Sequence, residues 1–249
     1  MPYGLYISAE GALVQSRRLE TVANNLANVN TVGFKRDLAL FQARYAEEIA
    51  QGQAQPGERS WNDLGGGVEV RETRTDYSQG PFKNTEIPTD FAIKGDGFFA
   101  VRAPDGDYLT RAGNFALLPT GELVTQQGHA VLDDGGAPAR IESFPWKLTH
   151  DGGIQQSDGT TVRLGMLQPA SLGDLVKVGE NLFRPMGPTS AVEAGNRHVV
   201  GGHLELAGVS ATTEMMNMIE ASRAFEANVN LIRNQDQMLG TMLGRLLKA

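Results

Sequence analysis

The sequence predicts an α+β protein in which long N- and C-terminal helices form a coiled-coil-like bundle, with a central all-β domain inserted between them. Three observations predict it. Near the start, Leu5, Ala9, Ala12, Ser16, Leu19, Ala23 and Leu26 recur at alternating spacings of four and three. Near the end, Met215, Met218, Ser222, Phe225, Val229, Ile232, Asp236, Leu239, Leu243 and Leu246 do the same. That spacing places one apolar stripe along a helix that packs on other helices. Between the two stripes, short β-prone runs are cut at close intervals by glycine-containing turn signals.

In chain order, Leu5 to Val29 reads as the first helix, with Gln15, Arg17, Arg18 and Glu20 on the polar side and small seam residues that admit a close neighbour. The pattern stops at Asn24-Asn25-Leu26-Ala27-Asn28-Val29-Asn30-Thr31-Val32-Gly33-Phe34, where Asn and Gly supply capping and left-handed conformations. From Lys35 to Ile49 a second amphipathic stretch, with Leu38, Leu40, Phe41 and Tyr45, fits either a short helix or an extended arm. Residues 51–67, ending Asp63-Leu64-Gly65-Gly66-Gly67, read as a connector. Alternation begins at Val68-Glu69-Val70-Arg71. Strands are then expected at Phe91-Ala92-Ile93, Phe98-Phe99-Ala100-Val101, Phe115 to Leu118, Glu122-Leu123-Val124 and Val162-Arg163-Leu164. Asp96-Gly97, Asp105-Gly106, Thr120-Gly121, Asp134-Gly135-Gly136, Asp151-Gly152-Gly153 and Asp158-Gly159 separate them. This is an antiparallel meander or small barrel-like body without βαβ alternation. The last helix runs from about Ala211 to Leu247, free of proline. The expected division is 1–36, N-terminal helix and Asn-rich turn; 37–67, arm and Gly-rich linker; 68–203, β domain; 204–249, C-terminal helix packing with the first.

Composition narrows the function classes. The 249 residues carry 41% hydrophobic and 20% charged residues, with 30 glycines and 11 prolines, as in a globular chain rich in turns. Net charge is −7, and Lys and Arg nowhere cluster enough to follow a phosphate backbone, so nucleic acid is not an expected partner. The ends are close to neutral: 1–36 carries +2 and 211–249 balances four acids with four bases, leaving −9 in the middle. Near-neutral ends remove one obstacle to bundling copies together. With no cysteine, disulfides and thiolate metal sites are excluded. The opening Met1-Pro2-Tyr3-Gly4 lacks the basic and apolar regions of a secretory signal, and no apolar run reaches the ~20 residues of a membrane span, so neither a cleaved signal nor membrane insertion is expected.

No catalytic constellation emerges. His129, His150, His198 and His203 lack zinc-type spacing. Gly65-Gly66-Gly67 lacks a Gly-Lys-Ser/Thr ending, and Lys94-Gly95-Asp96-Gly97 places an acid where a phosphate needs amides. No Gly-x-Ser-x-Gly elbow occurs, and the pairs Asp133-Asp134 and Glu47-Glu48 have nothing to drive their protonation apart. The expectation is a non-enzyme without cofactor or metal. The contrasting hypothesis, a secreted glycan-active enzyme on the β domain, needs two acids held across a cleft, and no such pair is visible. The C-terminal stripe also exceeds the N-terminal one by about two turns at 1.5 Å per residue, and Met215, Met216, Met218, Met238 and Met242 make it adaptable. A surplus stripe points to contact between molecules.

Three segments carry a resemblance. The stretch Asn24 to Lys35 resembles the N-terminal signature of bacterial flagellar basal-body rod and hook proteins. Asp90-Phe91-Ala92-Ile93-Lys94-Gly95-Asp96-Gly97-Phe98-Phe99-Ala100-Val101, followed by Thr110-Arg111-Ala112-Gly113-Asn114-Phe115, is similar to that family's β-domain core. Glu214 to Glu226, with Asp236-Gln237-Met238-Leu239, is similar to its terminal helix. One stretch departs: Glu205 to Thr212 stands where the family commonly carries Asn-Val-Asp/Asn, which leaves the helix entry open.

The resemblance implies a structural rod subunit, by length the proximal rod protein, with its distal relative as the alternative. It implies export by the flagellum-specific apparatus without signal cleavage, placement in the periplasm-crossing rod, and partners that are other rod subunits and copies of itself in a helical axial assembly. The expected assembly interface is Leu5, Ala9, Ala12, Leu19, Ala23 and Leu26 with Met215, Met218, Phe225, Val229, Ile232, Leu239 and Leu243. The signature turn is marked by Asn24, Asn25, Asn28, Asn30, Gly33 and Phe34.

Overall fold

A computed structural model describes residues 3–45, 49, 51–52, 55, 65–143 and 145–246. Much of the expected connector at 51–67, and Glu47 and Glu48, lie outside the described residues. The chain divides into two compact units: 1–27, 36–76 and 209–249 form the first, and 28–35 with 77–208 form the second.

The first unit contains α1 (Tyr3–Ala27), β1 (Arg36–Arg44), β2 (Gly67–Asp76) and α2 (Ala211–Leu246). Neither helix contains proline, and α2 begins where the Ser210 carbonyl accepts the Glu214 N–H at 2.9 Å, the first bond of the helical ladder. The two helices run antiparallel. Arg18 meets Glu220 at 3.1 Å, Gly11 faces Asn228, and Gly4 faces Gln235. A Cβ at either glycine would come within 2.9 Å of the facing amide side chain, so the absent side chains are what let the helices approach this closely. Gly4 and Gly11, one residue ahead of Leu5 and Ala12, lie closest to α2; of the expected stripe, Ala12 is buried, Leu5, Ala9, Leu19 and Leu26 are half-buried, and Ala23 is exposed.

The stretch read as a helix or an extended arm is a strand. β1 pairs antiparallel with β2 from Arg36↔Asp76 to Arg44↔Gly67, with a register shift at Leu40/Phe41 that leaves Arg71 without a counterpart. Such a bulge bends and twists a ribbon. The ribbon packs along α1, where Arg44 donates to the Tyr6 hydroxyl at 2.8 Å and to Glu10 at 3.0 Å. The alternation at 68–71, read as the opening of the β domain, therefore belongs with the helices. Its partner strand precedes the connector, and the second unit resumes only at Tyr77.

The second unit contains β3 (Phe82–Asn84), β4 (Phe91–Ile93), β5 (Phe98–Ala103), β6 (Gly106–Thr110), β7 (Ala116–Leu117), β8 (Leu123–Val124), β9 (Ala130–Val131), β10 (Lys147–Leu148), β11 (Gly153–Gln155), β12 (Thr161–Arg163), β13 (Met166–Pro169), β14 (Leu175–Gly179), β15 (Leu182–Pro185), β16 (Thr189–Ala191), β17 (Val199–Gly201) and β18 (His203–Glu205). The main sheet has the order β14-β15-β6-β5-β9-β8-β7, with β13 pairing β5 and β16. β10-β11-β12, β17-β4 and β18-β3 form smaller sheets, and every pairing among the described residues is antiparallel. The β14–β15 turn uses Glu180 and Asn181 at φ 51° and 62°, the doubly left-handed geometry of a tight hairpin.

Phe98-Phe99 does not alternate in burial because both faces of its strand are covered. Phe99, Val101, Tyr108 and Leu182 join the larger core with Phe91, Phe115 and Met166, while Phe98, Leu109, Leu175 and Phe183 make a second cluster under Tyr77. Phe98 meets Phe183 edge-on at 5.6 Å and Tyr77 at 6.0 Å. Each fully buried phenylalanine contributes about 1.5–3 kcal/mol of transfer free energy.

Candidate functional site

The signature turn is built by its side chains; residues 24–27 belong to the first unit and 28–34 to the second. In the first unit, Asn25 closes the end of α1 onto β1: its Nδ2 donates to the Asp37 carbonyl at 2.8 Å and its Oδ1 accepts the Asp37 N–H at 2.9 Å. The buried side chain thus acts as one more rung of a β ladder on the half-buried Asp37 backbone. Asn24, its neighbour on the helix, is exposed. β1 is tied to α2 as well, since Arg36 pairs at 3.1 Å with Glu214, which is buried in the first turn of that helix, where a carboxylate suits the dipole.

In the second unit, Thr31 donates to the half-buried Asn28 carboxamide at 3.1 Å, and the Thr31 N–H bonds the Asn28 carbonyl. Asn30 is exposed. Gly33 has φ +68°, and a Cβ there would lie 2.5 Å from the carbonyl carbon of Arg111. Its N–H donates to the Glu205 carbonyl at 2.7 Å. Phe34 is buried beneath the Lys177 ammonium, 4.4 Å from the ring centre. Lys35 is fully buried and donates to the Ser78 carbonyl at 2.8 Å and to Glu205 at 2.6 Å. Glu205 also accepts the Gly80 N–H at 2.9 Å and faces Arg111 at 3.4 Å. Burial pushes the Arg111 guanidinium below its ordinary value, opposed by Glu205 and Asp96.

Lys35, Arg111, Glu205 and Glu214 were absent from the sequence-derived set. The only signal for them was a charge lodged within each of the motif segments. Glu205 opens the stretch that departs from the family pattern, and it is the residue on which this network converges.

The helix faces form the second part of the site. Of the expected interface residues, Ala12 is buried; Met218, Phe225, Val229, Ile232 and Leu239 are half-buried; Met215 and Leu243 are exposed. Further apolar residues face solvent, among them Tyr6 and Leu13 on α1 and Met216, Ile219, Leu231, Met238 and Met242 on α2. Met242 is 66% exposed, and a Cβ added at Gly240 or Gly244 would point into open space. The antiparallel register explains this: α1 ends its overlap near Gln235, so the last turns of α2 reach past it.

Polar clusters elsewhere are structural. Asp133 accepts the Gly135 and Ala137 N–H groups at 2.8 Å, Asp134 pairs with Arg197, and His129 meets Glu180 at 2.9 Å. Among the described residues no group of three or more His, Asp or Glu is placed to hold a metal, and no helix is long and apolar enough to cross a membrane.

Paired terminal helices with surplus apolar surface, carrying an inserted antiparallel β unit, define a class of structural proteins. Family comparison makes this specific. Residues 5–35 match the flagella basal body rod protein model, 92–180 the D1 domain of flagellar hook protein FlgE/F/G, and 200–245 the C-terminal model of flagellar basal body rod FlgEFG protein. The chain is 33% identical to flagellar basal-body rod protein FlgG of Borreliella burgdorferi, over 96% of this chain and 97% of that one. It is 32% identical to FlgF of Caulobacter vibrioides over 100% and 99%, and 33% identical to FlgG of Bacillus subtilis over 94% and 96%. The chain belongs to the flagellar basal-body rod protein family, and it is a structural rod protein, not an enzyme.

Proposed function

We propose that this protein occupies the proximal rod, packing its terminal helices against copies of itself and other rod subunits in a helical, coiled-coil-like axial tube that carries motor torque toward the hook. It travels to that place through the flagellar export apparatus without signal cleavage. The observation that carries this reading is the exposed apolar surface of α2, from Met216 and Ile219 through Leu231 to Met238, Met242 and Leu243. Exposed apolar surface on this scale marks a surface that is covered in a complex. Burying it yields about 25 cal/mol per Å², offset by the ordering of the helix ends. A place in the distal rod, within the same family, is the second reading. The seam residues Leu19, Leu26, Phe225, Ile232 and Leu239 are the proposed anchors.

Leu239→Asp tests the assembly role. The expected result is a chain whose β unit melts as in the parent but which is missing from purified basal bodies, leaving the cells non-motile. Normal motility with normal incorporation overturns the reading. Complementation of strains lacking either the proximal or the distal rod gene separates the two positions.

A further inference from the structure

We propose that Lys35, Glu205 and Arg111 form a registry clamp that holds three passes of the chain in one fixed alignment inside the second unit. The passes are Gly33–Lys35, Ser78–Gly80 and Glu205–Gly208. Each lies within a few residues of a point where the chain leaves that unit, after Lys35, before Tyr77 and after Gly208.

The bonds converge on one carboxylate. Glu205 Oε1 accepts from Lys35 Nζ at 2.6 Å and from the Gly80 N–H at 2.9 Å, while Oε2 faces Arg111 Nη1 at 3.4 Å. Lys35 Nζ donates in addition to the Ser78 carbonyl. Backbone bonds run in parallel, from the Leu206 N–H to the Pro81 carbonyl at 2.9 Å and from the Gly208 N–H to the Phe34 carbonyl at 3.2 Å. Lys35 and Glu205 are 1% exposed and Arg111 is 5% exposed.

Two buried cations around one buried carboxylate are a poor source of stability, because desolvation offsets most of their attraction and apolar side chains of similar volume serve as well or better. What the ionic set supplies is uniqueness. The apolar neighbours of these passes could pack in a shifted register, but the Lys35–Glu205–Gly80 bonds form in one register alone. The functional consequence rests on the proposed role as a torque-carrying rod subunit: of the four chain crossings into the second unit, at 27/28, 35/36, 76/77 and 208/209, the last three lie beside these segments, so load carried through them passes along the clamped passes, which the clamp keeps from sliding.

The test compares the full-length protein with Glu205→Gln and with the apolar triple variant Lys35→Met/Arg111→Met/Glu205→Leu, by amide hydrogen exchange resolved to single residues. In both variants the Gly80 and Gly208 amides are expected to exchange at least tenfold faster; in the triple variant, which leaves no buried charge unpaired, Val101 and Tyr108 in β5 and β6 keep their protection. Unchanged exchange at Gly80 and Gly208 overturns the clamp. So does a uniform acceleration in the triple variant that includes Val101 and Tyr108, which would make the triad a source of general stability. In cells, the triple variant is expected to enter basal bodies yet to lose swimming in viscous medium. Parental swimming with accelerated amides overturns the load-bearing role. Failure of the rod reading itself would appear separately, as absence of the parent chain from basal bodies.

Discussion

Gly33→Ala isolates the physics of the signature turn. At φ +68° an alanine costs about 1 kcal/mol for the left-handed backbone. Its Cβ would also lie 2.5 Å from the Arg111 carbonyl carbon and 2.6 Å from the Ala112 nitrogen, backbone atoms that cannot swing away as a side-chain tip can. Relieving that overlap costs about 1–3 kcal/mol. Displacing the turn weakens the 2.7 Å bond from the Gly33 N–H to the Glu205 carbonyl, another ~1 kcal/mol. The expected total is about 3–5 kcal/mol, which lowers the melting midpoint of a unit this size by about 6–20 °C. The chain has two tryptophans, Trp61 and Trp146. Trp146 packs against the core, 6.0 Å from Phe91, so in a Trp61→Phe background its fluorescence reports the second unit. A midpoint within 2 °C of the parent would refute the claim that this position requires glycine.

Other consequences are equally measurable. Asn25→Ala removes both bonds to the half-buried Asp37 backbone, a loss of about 2 kcal/mol. The Asp37 amide is expected to exchange about 30-fold faster or more, and parental protection would remove Asn25 from its pinning role. The hydrogen bond from Thr149, aided by backbone N–H groups and Arg163, holds the Asp151 carboxyl below the usual carboxylate range. A depressed carboxyl contributes its stability above the ordinary value near ~4 and loses it as pH falls through the lower folded value. Asp151→Asn should therefore melt lower than the parent at pH 7, with the gap closing toward pH 2; a gap constant with pH would contradict this.

The helices were legible because nothing interrupts their periodicity: Tyr3–Ala27 and Ala211–Leu246 contain no proline, and the stripe spacing admits one reading. Strands such as Phe98–Ala103 were legible from the turns around them. Leu38, Leu40 and Phe41 fit both periods, and what decides for a strand is a partner more than twenty residues away, a non-local fact. Gly4 and Gly11, which an apolar pattern passes over, lie one residue ahead of Leu5 and Ala12 and set the close approach to α2. Within the turn, sequence could not separate buried Asn25 from exposed Asn24, since adjacent identical residues differ only in which way the helix turns them. The charged network was illegible for a plainer reason: Lys35 and Glu205 are 170 residues apart, and Arg111 and Glu205 are 94 apart.

The absence of cysteine gives direct access to the central claim, that the apolar face of α2 beyond α1 is covered by neighbouring subunits in the rod. Met242→Cys introduces a single thiol at a position 66% exposed in the lone chain. Maleimide labelling should be rapid in the purified monomer and at least tenfold slower in isolated basal bodies containing the same variant. Equal labelling of the two forms would contradict the account.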